Sequence, residues 1–279
     1  MLGGCKYLFD NYSWRKKMKM RTMFITALCL IGALLAFTTV TSLAQSALTP
    51  IEELGMMLYF DENLSEPAGQ SCASCHDPDF GFADPDKILP VSEGVIDGMF
   101  GGRNSPSSAY AMYAPIFHFD GELFIGGQFW DGRATGEVLG DPLADQAIGP
   151  FLNPVEMHNP DKATVVADVA ASDYADLFKE VWGKNIFKKV DKAYDSIGLS
   201  IAAFERTDLF APFTSKYDYY LALCLDIGGE TAMAKCATGT GVAAEQAGAQ
   251  VFSKKEWNGL QLFMNDFNNN DGFLEPGEG

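Results

Sequence analysis

One five-residue run, CASCH at residues 72–76, constrains the fold of this chain more than any other feature of its sequence. Two cysteines separated by two residues and followed directly by a histidine form the attachment signature of a c-type haem. The thiols of Cys72 and Cys75 would bond to the haem, and His76 would ligate its iron. Small haem domains are rich in long loops because the haem itself provides much of the core. We therefore predict one covalently attached haem c.

The remaining cysteines bear on the alternative interpretation of this run, half of a structural zinc site. Such a site needs two more thiolate or imidazole ligands at short spacing. Cys224 and Cys236 are the candidates, but they lie far along the chain and eleven residues separate them. In an oxidising compartment these two cysteines are free to form a disulfide, which we predict instead.

The first 44 residues resemble a secretory signal peptide. A basic stretch at residues 15–21 precedes an apolar run at residues 23–37, and the small-residue sequence SLA ends at Ala44. The alternative is an uncleaved anchor, although the apolar run is short for a transmembrane helix. The residues upstream of Met18 do not resemble part of a signal peptide, so Met18 or Met20 is the candidate start of translation. Haem attachment to this motif takes place outside the cytoplasmic membrane in bacteria, so we predict a periplasmic protein.

The charge of the chain limits its partners. The leader contains six of the 20 basic residues and one of the 37 acidic ones, so the formal charge falls from −17 to −22 after cleavage. A surface of this sign excludes nucleic acid as a partner. It would attract a redox protein with a basic face, such as a small cytochrome c. The alternative is an acidic surface that serves solubility alone.

The hydrophobic pattern favours an all-α fold with long loops. A capping box at residues 49–52, with proline at the first helical position, opens a helix that carries Leu54 and Leu58 at helical spacing. The segment 77–129 is rich in glycine and proline and is predicted to be mostly loop. Helical spacing recurs at residues 162–179, 190–206 and 254–263.

A weak internal repeat relates the start of the mature chain to its end. GMMLYF at residues 55–60 resembles GLQLF at residues 259–263. In the first copy, the attachment cysteine follows the glycine by seventeen residues, and the same interval after Gly259 falls at Pro276. We therefore expect a second haem motif just beyond Gly279. A coincidental short match is the alternative.

Taken together, these motifs resemble those of the bacterial di-haem cytochrome c peroxidase and MauG family. The similarity runs through nearly the whole mature chain in order. It rests on segments 53–61, 71–78 (SCASCHDP), 104–107 (NSPS), 129–133 (FWDGR), 146–150 (QAIGP), 153–157 (NPVEM) and 201–207 (IAAFERT).

The resemblance implies two cytochrome c-like helical domains. We expect a signal peptide at residues 1–44, an N-terminal domain with the peroxidatic haem at residues 45–190, and an incomplete C-terminal domain at residues 191–279. It also implies a peroxidase that reduces hydrogen peroxide to water with electrons from a small cytochrome c or cupredoxin. A homodimer is left open.

The resemblance assigns roles to individual residues of this chain. His76 matches the proximal ligand of the peroxidatic iron, Glu156 the distal carboxylate that handles peroxide protons, and Gln146 a polar residue beside it. A buried carboxylate of raised pKa suits this task, because it can take a proton from one peroxide oxygen and return it to the other.

Three further residues are matched outside the distal pocket. Trp130 corresponds to the tryptophan between the two haems, where its ring can carry an electron. Arg133 could pair a haem propionate or hold Asp131 across the turn. Asn104 matches a calcium-binding asparagine, and hard oxygen ligands suit that ion.

The sequence also departs from the family pattern. No histidine occurs between His76 and His118, so we expect an open iron or one capped by Met99 or Met112. The tail at residues 269–278 resembles an imperfect EF-hand loop, for which a solvated asparagine-rich turn is the alternative.

Two alternatives to the peroxidase remain at this point. One is a mono-haem electron carrier without turnover of its own, and the other is a MauG-like oxidase of a protein side chain. A sixth protein ligand on the iron would favour the carrier, whereas an open iron with Glu156 facing it would favour an enzyme.

Overall fold

The computed structural model describes residues 47–86 and 88–268. The predicted signal peptide at residues 1–44 and the EF-hand-like residues 269–278 lie outside them. Helices dominate the described part, which confirms the all-α class. No helix in this part has both the length and the apolar character that a membrane span requires.

The described α-helices are joined by loops and short 3₁₀ turns. They are α1 Pro50–Phe60, α2 Cys72–Cys75, α3 Pro142–Ala147, α4 Lys162–Ala171, α5 Ala175–Trp182, α6 Val190–Glu205, α7 Lys216–Gly228, α8 Met233–Ala237, α9 Val242–Val251 and α10 Lys254–Asn268. The two described strands, β1 His118–Phe119 and β2 Phe124–Ile125, form an antiparallel hairpin with His118 opposite Ile125.

The first core is organised by the crossing of α1 and α6. A side chain at Gly55 would place its Cβ 2.0 Å from the carbonyl oxygen of Ser200 and 2.8 Å from the Cβ of Phe204. Glycine is therefore required for the two helices to approach this closely. Leu54 and Leu58 of α1 and Ile201 of α6 are buried in the same cluster. Each contributes about 1.5–3 kcal/mol on burial.

Aromatic rings extend this core toward the CASCH run. Tyr59, Phe204 and Phe210 pack edge to face with ring centroids 5.1–5.6 Å apart. Phe82, which follows the run, stacks on Phe210 at 4.0 Å. The rings therefore fix the loop after α2 against α1 and α6.

A second cluster of buried residues is formed by α7 to α10. Tyr220 lies at its centre, with its ring 5.8 Å from that of Trp257. The predicted disulfide between Cys224 and Cys236 is confirmed. It joins α7 to α8, and the Cα atoms of the two cysteines are 5.9 Å apart. The Tyr220 hydroxyl donates to the Cys236 carbonyl at 2.8 Å. A hydrogen bond and the disulfide therefore both join α7 to Cys236 of α8.

The helix predictions from the sequence are confirmed in type, with differences in extent. Residues 77–129 are mostly loop, as predicted, apart from 3₁₀ turns and the short hairpin. The single helix predicted at residues 162–179 is wrong, because the chain breaks at residues 172–174 into α4 and α5. The Ser172 hydroxyl bonds the Val169 carbonyl at 2.8 Å and ends α4. The domain division at residue 190 stays a prediction, and α6, which begins there, packs in the first core.

Candidate active site

The attachment run forms a single helical turn with both thiols on the wall of one cavity. Helix α2 consists of residues 72–75, and the Ser71 amide donates to the Ser74 hydroxyl at 3.0 Å. The His76 amide donates to the Cys72 carbonyl at 3.0 Å and closes the turn. Cys72 and Cys75 are free cysteines, not joined to each other.

The His76 ring is held by a backbone acceptor. Its Nδ1 lies 3.2 Å from the carbonyl oxygen of Phe82. Because a carbonyl only accepts, the contact with Phe82 favours a proton on Nδ1, which is the tautomer that can ligate a metal through Nε2. Burial lowers the pKa of His76 below its ordinary value and favours the neutral ring, while hydrogen bonds to the Phe82 and Pro106 carbonyls oppose that shift. The Tyr59 hydroxyl also donates to the His76 carbonyl at 2.9 Å.

A cavity of about 440 Å³ opens beside α2. Its volume falls within the range of ligand and cofactor pockets. Eight of the residues that the sequence assigned to the site line it, namely Cys72, Cys75, His76, Asn104, Trp130, Arg133, Gln146 and Glu156. The fold therefore brings together residues from segments more than seventy positions apart in the chain.

Glu156 is half-buried in the cavity wall, on a tight loop after a 3₁₀ turn. The Glu156 amide donates to the Asn153 carbonyl at 3.1 Å, and its own carbonyl accepts from Val95 at 2.9 Å. Burial raises the pKa of the carboxyl, while Arg133 and the Asn153 side chain oppose that shift. The group can therefore act as a proton donor and acceptor closer to neutral pH than an exposed carboxylate.

Trp130 and Arg133 are placed by a tight turn over residues 126–134. Gly127 has φ +74°, and a Cβ there would lie 2.7 Å from the Gly132 carbonyl oxygen, so the turn requires glycine. Gln128 and Ala134 pair across its base. Trp130 is 65% exposed, and its Nε1 donates to the Asn104 carbonyl at 2.8 Å.

Charged groups surround the mouth of the cavity at the same turn. The Asp131 carboxylate contacts Arg133 Nη1 at 2.9 Å and Arg103 Nη1 at 2.6 Å. These two guanidinium groups hold the pKa of Asp131 at about 2, well below its usual value. The Arg133 guanidinium carbon also lies 3.7 Å from the centre of the Phe129 ring. The sequence left two partners open for Arg133, a haem propionate or Asp131. The structure contains the contact with Asp131, which holds the turn.

Gln146 lies on α3, which is anchored to α6. Asp141 caps α3 by accepting from the Leu143 amide at 3.0 Å. The same carboxylate pairs with Arg206 Nη2 at 2.6 Å, just beyond the end of α6. Gln146 of this anchored helix lines the cavity.

The structure bears on the zinc alternative for residues 72–76 and on the calcium predicted at Asn104. No group of three or more His, Cys, Asp or Glu side chains is placed to hold a metal ion within residues 47–86 and 88–268. Cys224 and Cys236 are also consumed by their disulfide, so the zinc interpretation lacks its further ligands. The Asn104 side chain donates from Nδ2 to the Pro90 carbonyl at 3.1 Å, and calcium at this residue stays a prediction.

Several lining residues were not singled out from the sequence. Arg103 directly precedes the matched segment 104–107, and Glu205 lies within the matched segment 201–207, but the family resemblance assigned no role to either residue. Met157 lines the cavity as the neighbour of Glu156, whereas neither Met99 nor Met112 does. Met99 is 40% exposed at the surface, which disfavours it as an iron ligand.

The residues present fit a c-type haem. Two free thiols stand one helical turn apart on the cavity wall, and an imidazole whose Nδ1 is held by the Phe82 carbonyl follows them directly. This donor set matches the attachment chemistry of haem c and none of the described residues completes a competing metal site.

The chain matches known proteins along most of its described length. The family model for di-haem cytochrome c peroxidase matches residues 49–223. The methylamine utilization protein MauG of Paracoccus denitrificans is 42% identical over 180 residues, which cover 63% of this chain and 45% of that protein. The cytochrome c551 peroxidase of Pseudomonas aeruginosa is 35% identical over 171 residues, which cover 61% of this chain and 41% of that protein.

A solved structure is similar as well. The di-haem peroxidase BthA of Burkholderia thailandensis aligns with a TM-score of 0.58 and 33% identity, over 64% of this chain and 43% of BthA. The chain thus matches less than half of the length of each of these three relatives. Family match and structural similarity agree with the motifs in the cavity, and the chain belongs to the di-haem cytochrome c peroxidase family.

Proposed function

We propose that this chain carries the peroxide-reducing haem site of a periplasmic cytochrome c peroxidase. One observation carries the proposal: Glu156, with its raised pKa, faces the same cavity as Cys72, Cys75 and His76. Bound haem c supplies the redox chemistry of peroxide cleavage. The residues of the chain then have to hold the haem, orient the peroxide and move its protons.

Each of these tasks has a residue in the proposal. Cys72 and Cys75 tether the haem and His76 Nε2 ligates its iron. Glu156 accepts a proton from one peroxide oxygen and returns it to the other, so that the oxygen that departs leaves as water. Gln146, which lines the same cavity, orients the peroxide by hydrogen bonding. Two electrons and two protons convert each hydrogen peroxide to two molecules of water.

Electrons reach the site, in this proposal, by way of Trp130. Its ring is largely exposed at the cavity mouth and fixed by the bond to the Asn104 carbonyl. The donor is a small cytochrome c or cupredoxin with a basic face, since the mature chain is strongly acidic. Raising the salt concentration should therefore lower kcat/KM for the donor. A calcium ion bound at Asn104 would stabilise the same loop.

A second candidate function is the MauG-like oxidation of a protein side chain. The 42% identity to a MauG protein favours it, and the exposed Trp130 could pass electrons in the opposite direction. In that case the electrons come from a partner protein docked at the surface. A mono-haem carrier without turnover is the third alternative.

The experiment is a steady-state assay of the haem-loaded protein with hydrogen peroxide. Reduced small cytochrome c is supplied in one arm and a protein substrate with oxidisable tyrosine or tryptophan residues in the other. Peroxide-dependent oxidation of the cytochrome supports the peroxidase. Oxidation of the protein substrate alone would replace the peroxidase proposal by the MauG-like function. No reaction in either arm would leave the mono-haem electron carrier as the remaining alternative.

A further inference from the structure

Glu205 is a buried carboxyl in the wall of the cavity to which the proposed function gives no task. It is the last residue of α6 and is only 4% exposed. Its Oε2 has no hydrogen-bond partner among the described residues. A buried polar atom without a partner is costly and therefore calls for an explanation.

The neighbours of Glu205 do not compensate a negative charge. The charged and titratable groups that act on it are Asp141, Arg206, Tyr59 and Cys72. The one cation among them, Arg206, is engaged with Asp141 at 2.6 Å. Tyr59 is occupied by its bond to the His76 carbonyl. An ionised Glu205 would therefore be a single uncompensated charge against the cavity.

This environment decides the resting state of the carboxyl. Burial, followed by repulsion from Asp141, raises the pKa of Glu205 to about 8, and Arg206 opposes the shift. The side chain is thus a neutral acid in the acidic and neutral range and a carboxylate in the alkaline range.

We propose that Glu205 is a redox-linked proton site, which takes up a proton from solvent when the haem in this cavity accepts an electron from the donor protein. The inference rests on the haem attachment proposed above. An added electron removes positive charge beside the carboxyl. The carboxylate thereby loses a stabilising interaction, and the pKa of Glu205 rises. No covalent bond of the haem changes; one electron and one proton enter together.

The coupling has to be reciprocal. If reduction favours proton binding at Glu205, then protonation of Glu205 makes reduction easier by the same free energy. The midpoint potential should therefore fall as the pH rises through the range in which Glu205 titrates. For a one-electron couple the limit is about 59 mV for each tenfold change in proton concentration.

The test is a redox titration of the haem-loaded protein across the pH range, with Glu205→Gln compared with the wild type. Glutamine keeps the size of the side chain and cannot ionise. We expect the wild-type potential to fall with pH and the Glu205→Gln potential to lose that alkaline segment. Glu156→Gln serves as the matched variant, and it should retain the segment. An identical pH dependence in Glu205→Gln and the wild type would overturn the proposal.

A second measurement does not depend on the folding of Glu205→Gln. Reduced-minus-oxidised infrared spectra of Glu156→Gln, which keeps Glu205, should show a gain of protonated carboxylic acid on reduction at alkaline pH. No carboxyl signal would overturn the inference. Intact mass first establishes haem loading in each protein, so a failure of haem attachment is distinguished from a failure of proton coupling.

Discussion

The imidazole of His76 donates its Nδ1 proton to the carbonyl oxygen of Phe82 at 3.2 Å. Phe82 is itself fixed, because its ring is buried and stacks on Phe210. The first core of the protein thereby orients the imidazole at the cavity wall.

Glu156→Gln should abolish most of the peroxide turnover. Glutamine cannot exchange the proton that the reaction requires, and general acid–base catalysis of this kind contributes about 100-fold or more. Stopped-flow measurement of the reaction of the haem-loaded variant with hydrogen peroxide checks the rate. Glu137→Gln is the matched control, since residue 137 is exposed and lies outside the cavity lining. Equal peroxide rates in Glu156→Gln and the wild type would remove Glu156 from the mechanism.

The pH profile of the same reaction should show an acid limb. The base form of Glu156 is ionised above its pKa, and burial raises that pKa. The rate should therefore fall as the pH decreases through a range above that of an ordinary carboxylate, approaching about tenfold per pH unit. The limb should be missing from Glu156→Gln, and its persistence there would assign it to another group.

Gly55→Ala should destabilise the protein by about 1–3 kcal/mol. The new Cβ would overlap the Ser200 carbonyl oxygen and the Phe204 side chain, so α1 and α6 would have to separate. Gly259→Ala is the matched control, because no atom lies within 4 Å of a Cβ there and alanine should stabilise α10 by about 0.5–1 kcal/mol. Urea denaturation measures both free energies of unfolding, and a neutral Gly55→Ala would contradict the described helix crossing.

Glu205 should make the stability of the fold decrease toward alkaline pH. Burial raises its pKa from 4.5 to about 8, so the folded protein keeps a proton that the unfolded chain loses. That stabilisation is complete below the unfolded pKa and is lost as the pH rises through about 8. The wild type should lose a few kcal/mol relative to Glu205→Gln between about pH 5 and about pH 9. Thermal unfolding at a series of pH values would detect this, and parallel curves would contradict the buried acid.

Much of the site could be predicted because its residues stand in short, specific runs. The haem run is self-contained, and each of Asn104, Trp130 and Glu156 is matched within a distinctive local sequence. The helix at residues 190–205 was predictable from its apolar spacing, which buries Ile197 and Ile201.

Other features depend on contacts that no local pattern contains. The break between α4 and α5 occurs where the Ser172 hydroxyl donates to the Val169 carbonyl. This side-chain hydrogen bond to the backbone competes with continuation of the helix. In the sequence Glu205 resembles a surface residue near a helix end, and it is buried in a helix that packs against both α1 and α3. Met99 was a candidate ligand on residue type alone, but the loop that carries it turns the residue to the surface.

The central claim is that Cys72 and Cys75 hold a haem whose iron is ligated by His76. Intact mass and peptide mapping of the protein made with the bacterial c-type haem attachment machinery test it most directly. We expect one haem on the peptide that contains both cysteines, and none on the Cys72→Ala/Cys75→Ala double variant. The Cys224→Ser/Cys236→Ser variant should keep its haem. A folded wild-type protein with both thiols unmodified, or bound to zinc, would contradict the claim.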